Sequence, residues 1–252
     1  MNIGVIGNSH LASFKLGWEL IKESYPNLKL TFFGSPTTSM RALEVKGGEL
    51  VPRTQLVKDN LIWTSGGLDT IPGNMDAYFC VGMGFSFIHL IALLKNHRVP
   101  RDFVPGEGDL HLISDDFYES AMLGTLKNSV ALRVISQLKQ ISAAKIICSP
   151  NPYGDCSLLQ SPEYDYFGFD ETRELAFDFY KRNLKLMMDD AGAIPVEQPE
   201  ETIVDRMFTA ESYSRGSVKL KKGMHSVHDE NDYFHMNGEF GAVSLKGLIE
   251  RL

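Results

Sequence analysis

The pattern of apolar and polar residues changes its period after the first ten positions of the chain. Residues 3–6 form a short, mostly apolar run, and apolar residues then recur every three or four positions until Pro26. This second set comprises Leu11, Phe14, Trp18, Ile21 and Tyr25. A short apolar run is typical of a buried strand, and the longer spacing is typical of one face of a helix. The pattern predicts a strand, a tight turn and a helix.

The same alternation recurs along the rest of the chain. Further strands are predicted at residues 28–33, 78–81, 145–148 and 193–196. Helices are predicted at residues 85–94, 123–141, 176–187 and 238–252, with Gly192 as a C-cap. Strands that alternate with helices indicate an α/β fold, here a three-layer, doubly wound sheet of about five parallel strands. Ligands bind such sheets at the carboxyl ends of the strands.

Two segments do not follow this rhythm. Residues 51–57 and 59–64 favour either a small hairpin or an irregular excursion, and the pattern leaves both open. Residues 98–116 are polar and contain glycine and proline, so we predict a surface loop that forms one wall of a pocket.

Composition narrows the class of protein. A chain of 252 residues without linkers or repeats predicts a single domain spanning residues 1–252. With 25 Lys and Arg against 32 Asp and Glu, and one short basic run at residues 219–222, we expect no nucleic-acid partner. The three cysteines cannot all pair with one another, which favours a reducing cytoplasm. We expect no cofactor.

Residues 77–94 are apolar enough to raise the question of a membrane span. Gly82 and Gly84 interrupt this stretch, so a strand, a turn and a helix are the better interpretation. The chain also passes from Met1 directly into its first strand, without a basic leader before an apolar run. We therefore expect neither a membrane span nor a cleaved signal peptide.

Two short blocks at opposite ends of the chain contain candidate catalytic residues. Gly7-Asn8-Ser9-His10 joins the first strand to the first helix, where helix amides can stabilise a developing oxyanion beside Ser9. Asp232 and His235 are three positions apart, within one helical turn, so the carboxylate can hold the imidazole while its other nitrogen faces Ser9. The alternatives are that Ser9 is only a helix cap and that Asp232 and His235 form a surface pair.

With these blocks the sequence resembles the SGNH/GDSL hydrolase family, in which a serine follows the first strand and an Asp-x-x-His block precedes the last helix. Asn8 stands where the family has aspartate. Gly34, after the second strand, is the candidate for the oxyanion glycine. Gly82-Met83-Gly84-Phe85 stands in place of the Gly-x-Asn-Asp block, so that Gly84 offers a backbone N–H where the family has an oxyanion asparagine.

The resemblance implies a flavodoxin-like SGNH hydrolase fold and a serine esterase whose catalytic residues are Ser9, Asp232 and His235. It implies oxyanion or substrate-binding roles for Asn8, His10, Gly34 and Gly84, although His10 could simply occupy the first helical turn. The expected partner is a small-molecule or glycan ester, such as a carbohydrate acetyl ester or another small acyl ester. A carbohydrate O-acyltransferase and a non-catalytic glycan-binding module are the alternatives. The sequence leaves the oligomeric state open.

A cluster of potential metal ligands overlaps the second block. It comprises His225, His228, Asp229, Asp232 and His235. Spacing alone does not make these ligands converge, and the charged residues around them indicate a solvated loop for His225 and His228. We therefore expect no metal site.

Overall fold

A computed structural model describes residues 1–103, 110–222 and 226–252 of the chain. Its centre is a parallel sheet of five strands in the order β10-β9-β6-β1-β2. The strands are β1 (Asn2–Gly7), β2 (Lys29–Gly34), β6 (Ala77–Val81), β9 (Lys145–Ser149) and β10 (Ile194–Pro195). All five predicted strands are confirmed, and the short strand with its proline lies at one edge, where a missing N–H is tolerated.

Smaller strands lie outside this sheet. They are β3 (Leu43–Lys46), β4 (Glu49–Pro52), β5 (Ile71–Pro72), β7 (His97–Arg98), β8 (His111–Leu112), β11 (Ile203–Val204) and β12 (Phe208–Thr209). Strands β3, β4 and β5 form an antiparallel sheet, β7 pairs with β8, and β11 pairs with β12.

Helices cover both faces of the central sheet and complete the three layers. They are α1 (Leu11–Ile21), α2 (Gln55–Ser65), α3 (Phe87–Ile91), α4 (Asp115–Lys127), α5 (Val130–Ile141), α6 (Asp170–Ala191) and α7 (Gly238–Ile249). Among the described helices, none combines the length with the apolar character that crossing a bilayer would demand.

The central strand β6 shows why this sheet needs a helix layer on each side. Successive side chains of a strand point to opposite faces. Tyr78 and Cys80 pack into one core with α3, α5 and α6, whereas Phe79 and Val81 pack into a second core with α1 and α7. All five residues of β6 are buried, as expected for a parallel strand covered on both faces.

Two sequence predictions, one of a hairpin or irregular excursion and one of a single long helix, were wrong. Residues 59–64 form neither a hairpin nor an irregular excursion but lie inside α2. The Thr54 hydroxyl caps the start of this helix by accepting a hydrogen bond from the Val57 N–H. Residues 123–141 form two helices because Ser129 interrupts the run and caps α5 through the Leu132 N–H. In both places a side-chain cap, which apolar spacing does not report, determines where the helix starts.

Helices α1 and α7 approach each other closely through glycines. A Cβ on Gly241 would lie 2.8 Å from the Phe14 backbone nitrogen, and a Cβ on Gly17 would lie 2.9 Å from Ala242 Cα. Neither backbone can move aside without shifting its helix. Since α1 follows Ser9 and α7 follows His235, we expect this contact to influence the separation of the two candidate catalytic residues.

Candidate active site

Ser9 lies at the carboxyl end of β1, in the turn that leads into α1. The turn is held by hydrogen bonds from the Leu11 N–H to the Asn8 carbonyl (3.0 Å) and from the Ala12 N–H to the Ser9 carbonyl (3.2 Å). The Ser9 side chain is partly exposed, whereas Asn8 and His10 on either side are buried. Within the described part of the chain, the Ser9 N–H donates to no other group.

The structure brings Ser9, His235 and Asp232 together. Ser9 Oγ lies 2.9 Å from His235 Nε2, although the two residues are 226 positions apart. His235 Nδ1 lies 2.8 Å from Asp232 Oδ2 and 3.0 Å from Asp232 Oδ1. With Nδ1–H donating to the carboxylate, Nε2 keeps its lone pair toward the Ser9 hydroxyl.

The expected helical turn between Asp232 and His235 is absent, because this segment is irregular backbone. Asp232 Oδ1 instead accepts hydrogen bonds from the Phe234 and His235 N–H groups, each at 3.0 Å. An aspartate that bonds the backbone two residues ahead makes a tight turn without a helix. The same carboxylate therefore shapes the loop and contacts the imidazole.

His228 is a second imidazole on the Asp232 carboxylate. Its Nδ1 lies 2.6 Å from Asp232 Oδ2, and its ring stacks on that of His235 with centroids 4.0 Å apart and planes 12° apart. The His228 side chain is only 10% exposed, so the solvated-loop prediction was wrong for this residue. His225, for which we made the same prediction, lies outside the described residues.

These contacts determine the charge of Asp232. Burial by itself raises the pKa of the Asp232 carboxyl, but hydrogen bonds from His228 and then His235 outweigh burial. The net result is a pKa well below the usual aspartate range, so Asp232 is ionised at neutral pH.

The His10 ring also stacks on that of His235, with ring centroids 5.1 Å apart and planes 25° apart. Burial is the main reason that the pKa of His10 lies well below its ordinary value, and the electrostatic interaction with His235 lowers this pKa further. Asn151 explains how a neutral His10 is held. Asn151 Oδ1 accepts from the Gly84 N–H at 2.8 Å, so Nδ2 is the group that lies 2.9 Å from His10 Nε2.

Asn151 therefore connects the turn after β6 to the start of α1, and its removal has a measurable cost. Asn151→Ala leaves the buried His10 Nε2 unpaired, at about 1–3 kcal/mol, and the partly buried Gly84 N–H unpaired, at about 1 kcal/mol. We expect urea unfolding to show a loss of about 2–4 kcal/mol. The matched control is the exposed Asn128, whose side chain donates to the Gly124 carbonyl of the preceding helix, and Asn128→Ala should cost about 0.5 kcal/mol or less. Equal losses in the two variants would contradict the linking role.

A cavity of about 380 Å³ opens in front of Ser9 and His235. Asn8, His10 and Gly84 border it, as does Asn151. Apolar and aromatic side chains supply much of the remaining wall, namely Met83, Ile88, Ala92, Val130, Tyr164, Tyr166 and Phe234. None of the described residues within 98–116 lines this cavity, so the predicted wall is not formed by them. Residues 104–109 of that segment lie outside the described part.

Similar structures were found, whereas a scan of protein-family profiles and a search of curated sequences gave no match. The extracellular lipase from Streptomyces rimosus superposes with a TM-score of 0.51 at 13% identity, covering 98% of this chain and 99% of the lipase. The fold is SGNH/GDSL-like. The periplasmic domain of a lipopolysaccharide acetyltransferase from Salmonella serovar Paratyphi A gives a TM-score of 0.46 at 13% identity, over 99% of this chain and 82% of that domain.

Within this SGNH-like fold, the loop after β2 borders the cavity, but through residues that follow Gly34 and not through Gly34 itself. The Gly34 N–H donates to Thr64 Oγ1 at 3.0 Å, and Gly34 is not among the residues that border the cavity. Gly34 therefore has no N–H to offer an oxyanion, and that assignment was wrong. Thr37 and Thr38 border the cavity instead, and Thr37 has a φ of 56°, a left-handed conformation that is uncommon for a β-branched residue.

The Gly84 N–H is also engaged. It donates to Asn151, whereas the Gly84 carbonyl lies 3.2 Å from His89 Nδ1. The turn that replaces the asparagine-containing block has three consecutive residues with positive φ, Gly82, Met83 and Gly84. Gly84 thus shapes the cavity wall in this conformation rather than presenting a free donor.

The candidate metal ligands adopt a hydrogen-bonded arrangement. Ligand atoms of His228, Asp232 and His235 lie within 4.8 Å of one another. The Nδ1 atoms of both histidines already face the Asp232 carboxylate, and Asp229 is 83% exposed and lies near Lys219. The Nδ1 atoms of His228 and His235 and the Asp232 carboxylate are already hydrogen-bonded to one another, and we propose no metal for them.

Sequence reasoning missed two residues of this site, Asn151 and His228. Asn151 lies two positions after β9, at the carboxyl end of the strand next to β6. Its position after a central strand is a signal that could have identified it. His228 carries no such signal, since only the folded loop brings it onto Asp232.

Proposed function

We propose that the protein is a serine hydrolase of acyl esters, with Ser9 as nucleophile, His235 as general base and Asp232 as its partner. The observation that carries this proposal is the 2.9 Å approach of Ser9 Oγ to His235 Nε2 at the mouth of the cavity, with Asp232 on the opposite ring nitrogen. A nucleophile, a base and a group that orients the base are the three parts that covalent acyl transfer needs.

The chemistry follows from the protonation states. His235 Nε2 takes the Ser9 proton as Ser9 Oγ attacks the ester carbonyl, and Asp232 stabilises the imidazolium. When the tetrahedral intermediate collapses, the C–O bond to the alcohol breaks and His235 returns the proton to the leaving oxygen. Water then attacks the acyl-enzyme, with His235 again accepting and returning the proton, and releases the acid.

The developing oxyanion needs N–H donors near Ser9 Oγ. The Ser9 N–H is free of other described partners, as are the N–H groups of Thr37 and Thr38 on the cavity rim. Asn8 is buried beside Ser9 on the cavity border, and its Oδ1 accepts from the His10 N–H at 3.3 Å. We propose the Ser9 N–H as the first donor and the Thr37–Thr38 turn as the second, in place of Gly34.

The cavity wall supports a substrate with an apolar acyl group. Met83, Ile88 and Val130 offer aliphatic surface, and Tyr164 packs edge to face on Phe234 at 5.4 Å. Transfer of such a group from water to this surface is favourable by about 25 cal/mol per Å² buried. A small acyl ester with its acyl chain on this wall is the substrate class that we propose.

Labelling with a fluorophosphonate tests the nucleophile. The reagent phosphonylates activated serines, so mass spectrometry of the digested wild-type protein should show one adduct, on the peptide that contains Ser9. His235→Ala should lose the label, since Ser9 then has no base. Ser86 borders the same cavity but caps α3 through the Ile88 N–H, so Ser86→Ala is the matched control and should retain the label.

The proposal is wrong if the folded wild-type protein takes no label, or if Ser9→Ala is labelled as fully as the wild type. Circular dichroism of each variant separates loss of the nucleophile from loss of the fold. A label on Ser9 that persists in His235→Ala would instead remove His235 from its role as base.

A further inference from the structure

We propose that His228 is a positioning residue of the active site, which shares the Asp232 carboxylate with His235 and holds the His235 ring by stacking on it. The inference rests on the proposed function, because the ring that it positions is the proposed general base. It adds a fourth residue to Ser9, His235 and Asp232.

The first support is the geometry of the shared carboxylate. Asp232 Oδ2 lies 2.6 Å from His228 Nδ1 and 2.8 Å from His235 Nδ1. An ionised carboxylate only accepts, so each imidazole presents Nδ1–H to it. Hydrogen bonds to a charged acceptor are the strong ones, so His228 competes with His235 for the same negative charge while fixing where that charge lies.

The second support is that His228 is itself held in place. Its backbone N–H donates to the Ser217 carbonyl at 2.9 Å, and Val227 forms an antiparallel bridge with Val218. The His228 Nε2 is buried and, among the described residues, has no hydrogen-bond partner. Burying an imidazole with one unpaired ring nitrogen costs free energy. We infer that the His228 ring is held in this position for its hydrogen bond to Asp232.

Stacking gives the third support. The His235 ring stacks with the His228 ring at 4.0 Å and with the His10 ring at 5.1 Å, so it has two flat neighbours. Asp232 fixes the position of His235 Nδ1, and Ser9 lies in the direction of His235 Nε2. Neither contact prevents the ring from rotating about the line that joins Asp232 and Ser9. The two stacked rings supply that restraint.

Other titratable or charged groups also face this cluster and belong in any pH analysis. The His10 ring stacks with that of His235, and His89 of α3 interacts electrostatically with His10. A cavity of about 240 Å³ adjoins His228 and Asp232 and is bordered by Arg215, Asp229 and Glu230. Tyr164 also interacts electrostatically with Asp232. None of these groups donates to Asp232 as His228 does.

Two substitutions separate the bond from the ring. His228→Phe keeps a flat ring and removes the donor, whereas His228→Asn keeps an N–H near the place of Nδ1 and removes the ring. Without the His228 bond, Asp232 offers its whole charge to His235, which favours the imidazolium. For His228→Phe we therefore expect the acid limb of the kcat/KM pH profile to move up by about 0.5–1 unit. We also expect kcat to fall about tenfold, because the carboxylate loses one anchor.

His228→Asn should restore the wild-type acid limb while leaving kcat reduced. The matched control is His111→Phe, because His111 is an exposed member of another histidine pair, 5.7 Å from His97, and should leave both quantities unchanged. If the rate and the pH profile of His228→Phe overlay those of the wild type, His228 has no positioning role.

A second readout does not depend on turnover. Long-range ¹H–¹⁵N correlation spectra report which ring nitrogen of His235 is protonated and at which pH the ring titrates. A titration midpoint of His235 that rises in His228→Phe, and returns in His228→Asn, supports the shared carboxylate even if the wild-type protein takes no fluorophosphonate label. An unchanged midpoint and tautomer overturn the inference even if Ser9 is labelled, so the two failures are distinguishable.

Discussion

Asp232→Asn is expected to lower kcat for ester hydrolysis by about 10⁴-fold while the protein remains folded. The amide oxygen can still accept from the Phe234 and His235 N–H groups, so the turn survives. The amide nitrogen, however, would donate toward His228 and His235, and their Nδ1 atoms would have to accept. His235 would then present Nε2–H to Ser9 and could not take its proton.

The measurement is kcat on an activated ester, together with a thermal unfolding curve for each variant. Asp229→Asn is the matched control, since it makes the same change three positions away on a side chain that is 83% exposed. The control should keep wild-type turnover. If Asp232→Asn retained more than about a tenth of the wild-type kcat, the carboxylate would not be what sets the His235 tautomer.

The second large effect is expected from one methyl group between α1 and α7. Gly241→Ala places a Cβ against the backbone of Ser13 and Phe14, and neither helix can give way without the other moving. We expect it to lower the free energy of unfolding by about 2–3 kcal/mol. Since α1 follows Ser9 and α7 follows His235, turnover of the folded fraction should fall as well.

Gly124→Ala is the control for helix propensity, because Gly124 lies in α4 and a Cβ there meets nothing within 4 Å. It should be neutral or stabilise the protein by up to about 1 kcal/mol. Urea unfolding measures both variants, and active-site titration with fluorophosphonate normalises the rates. A Gly241→Ala protein as stable as the wild type would show that the helix contact is loose and does not set the distance from Ser9 to His235.

Much of the central fold could be predicted because local patterns report on burial. The five strands of the sheet follow from short apolar runs, and Gly192 ends α6 with the left-handed φ of 74° that a C-cap glycine adopts. The boundaries at α2 and between α4 and α5 could not, because Thr54 and Ser129 act through single hydrogen bonds that have no period.

The candidate site likewise contains residues that local sequence could predict and residues that it could not. Ser9 could be predicted because its place at the end of a strand is local, and Asp232 with His235 because three positions suffice to bring them together. Gly34 was the wrong oxyanion donor because the occupation of its N–H depends on Thr64, a residue of another element. The side-chain contacts of Asn151 and His228 likewise join segments that are distant in sequence.

The sequence by itself therefore determined the parallel sheet, its helix layers and the residues that we propose as nucleophile, base and orienting carboxylate. These depend on residue type and short spacing, which the chain carries locally. Only the tertiary structure decided which N–H groups are free, that Asp232 serves two imidazoles, and that His235 stacks with both His10 and His228. Those features depend on how closely α1, α7 and the loop before it pack, and distances of that kind are set by the whole core rather than by any one segment.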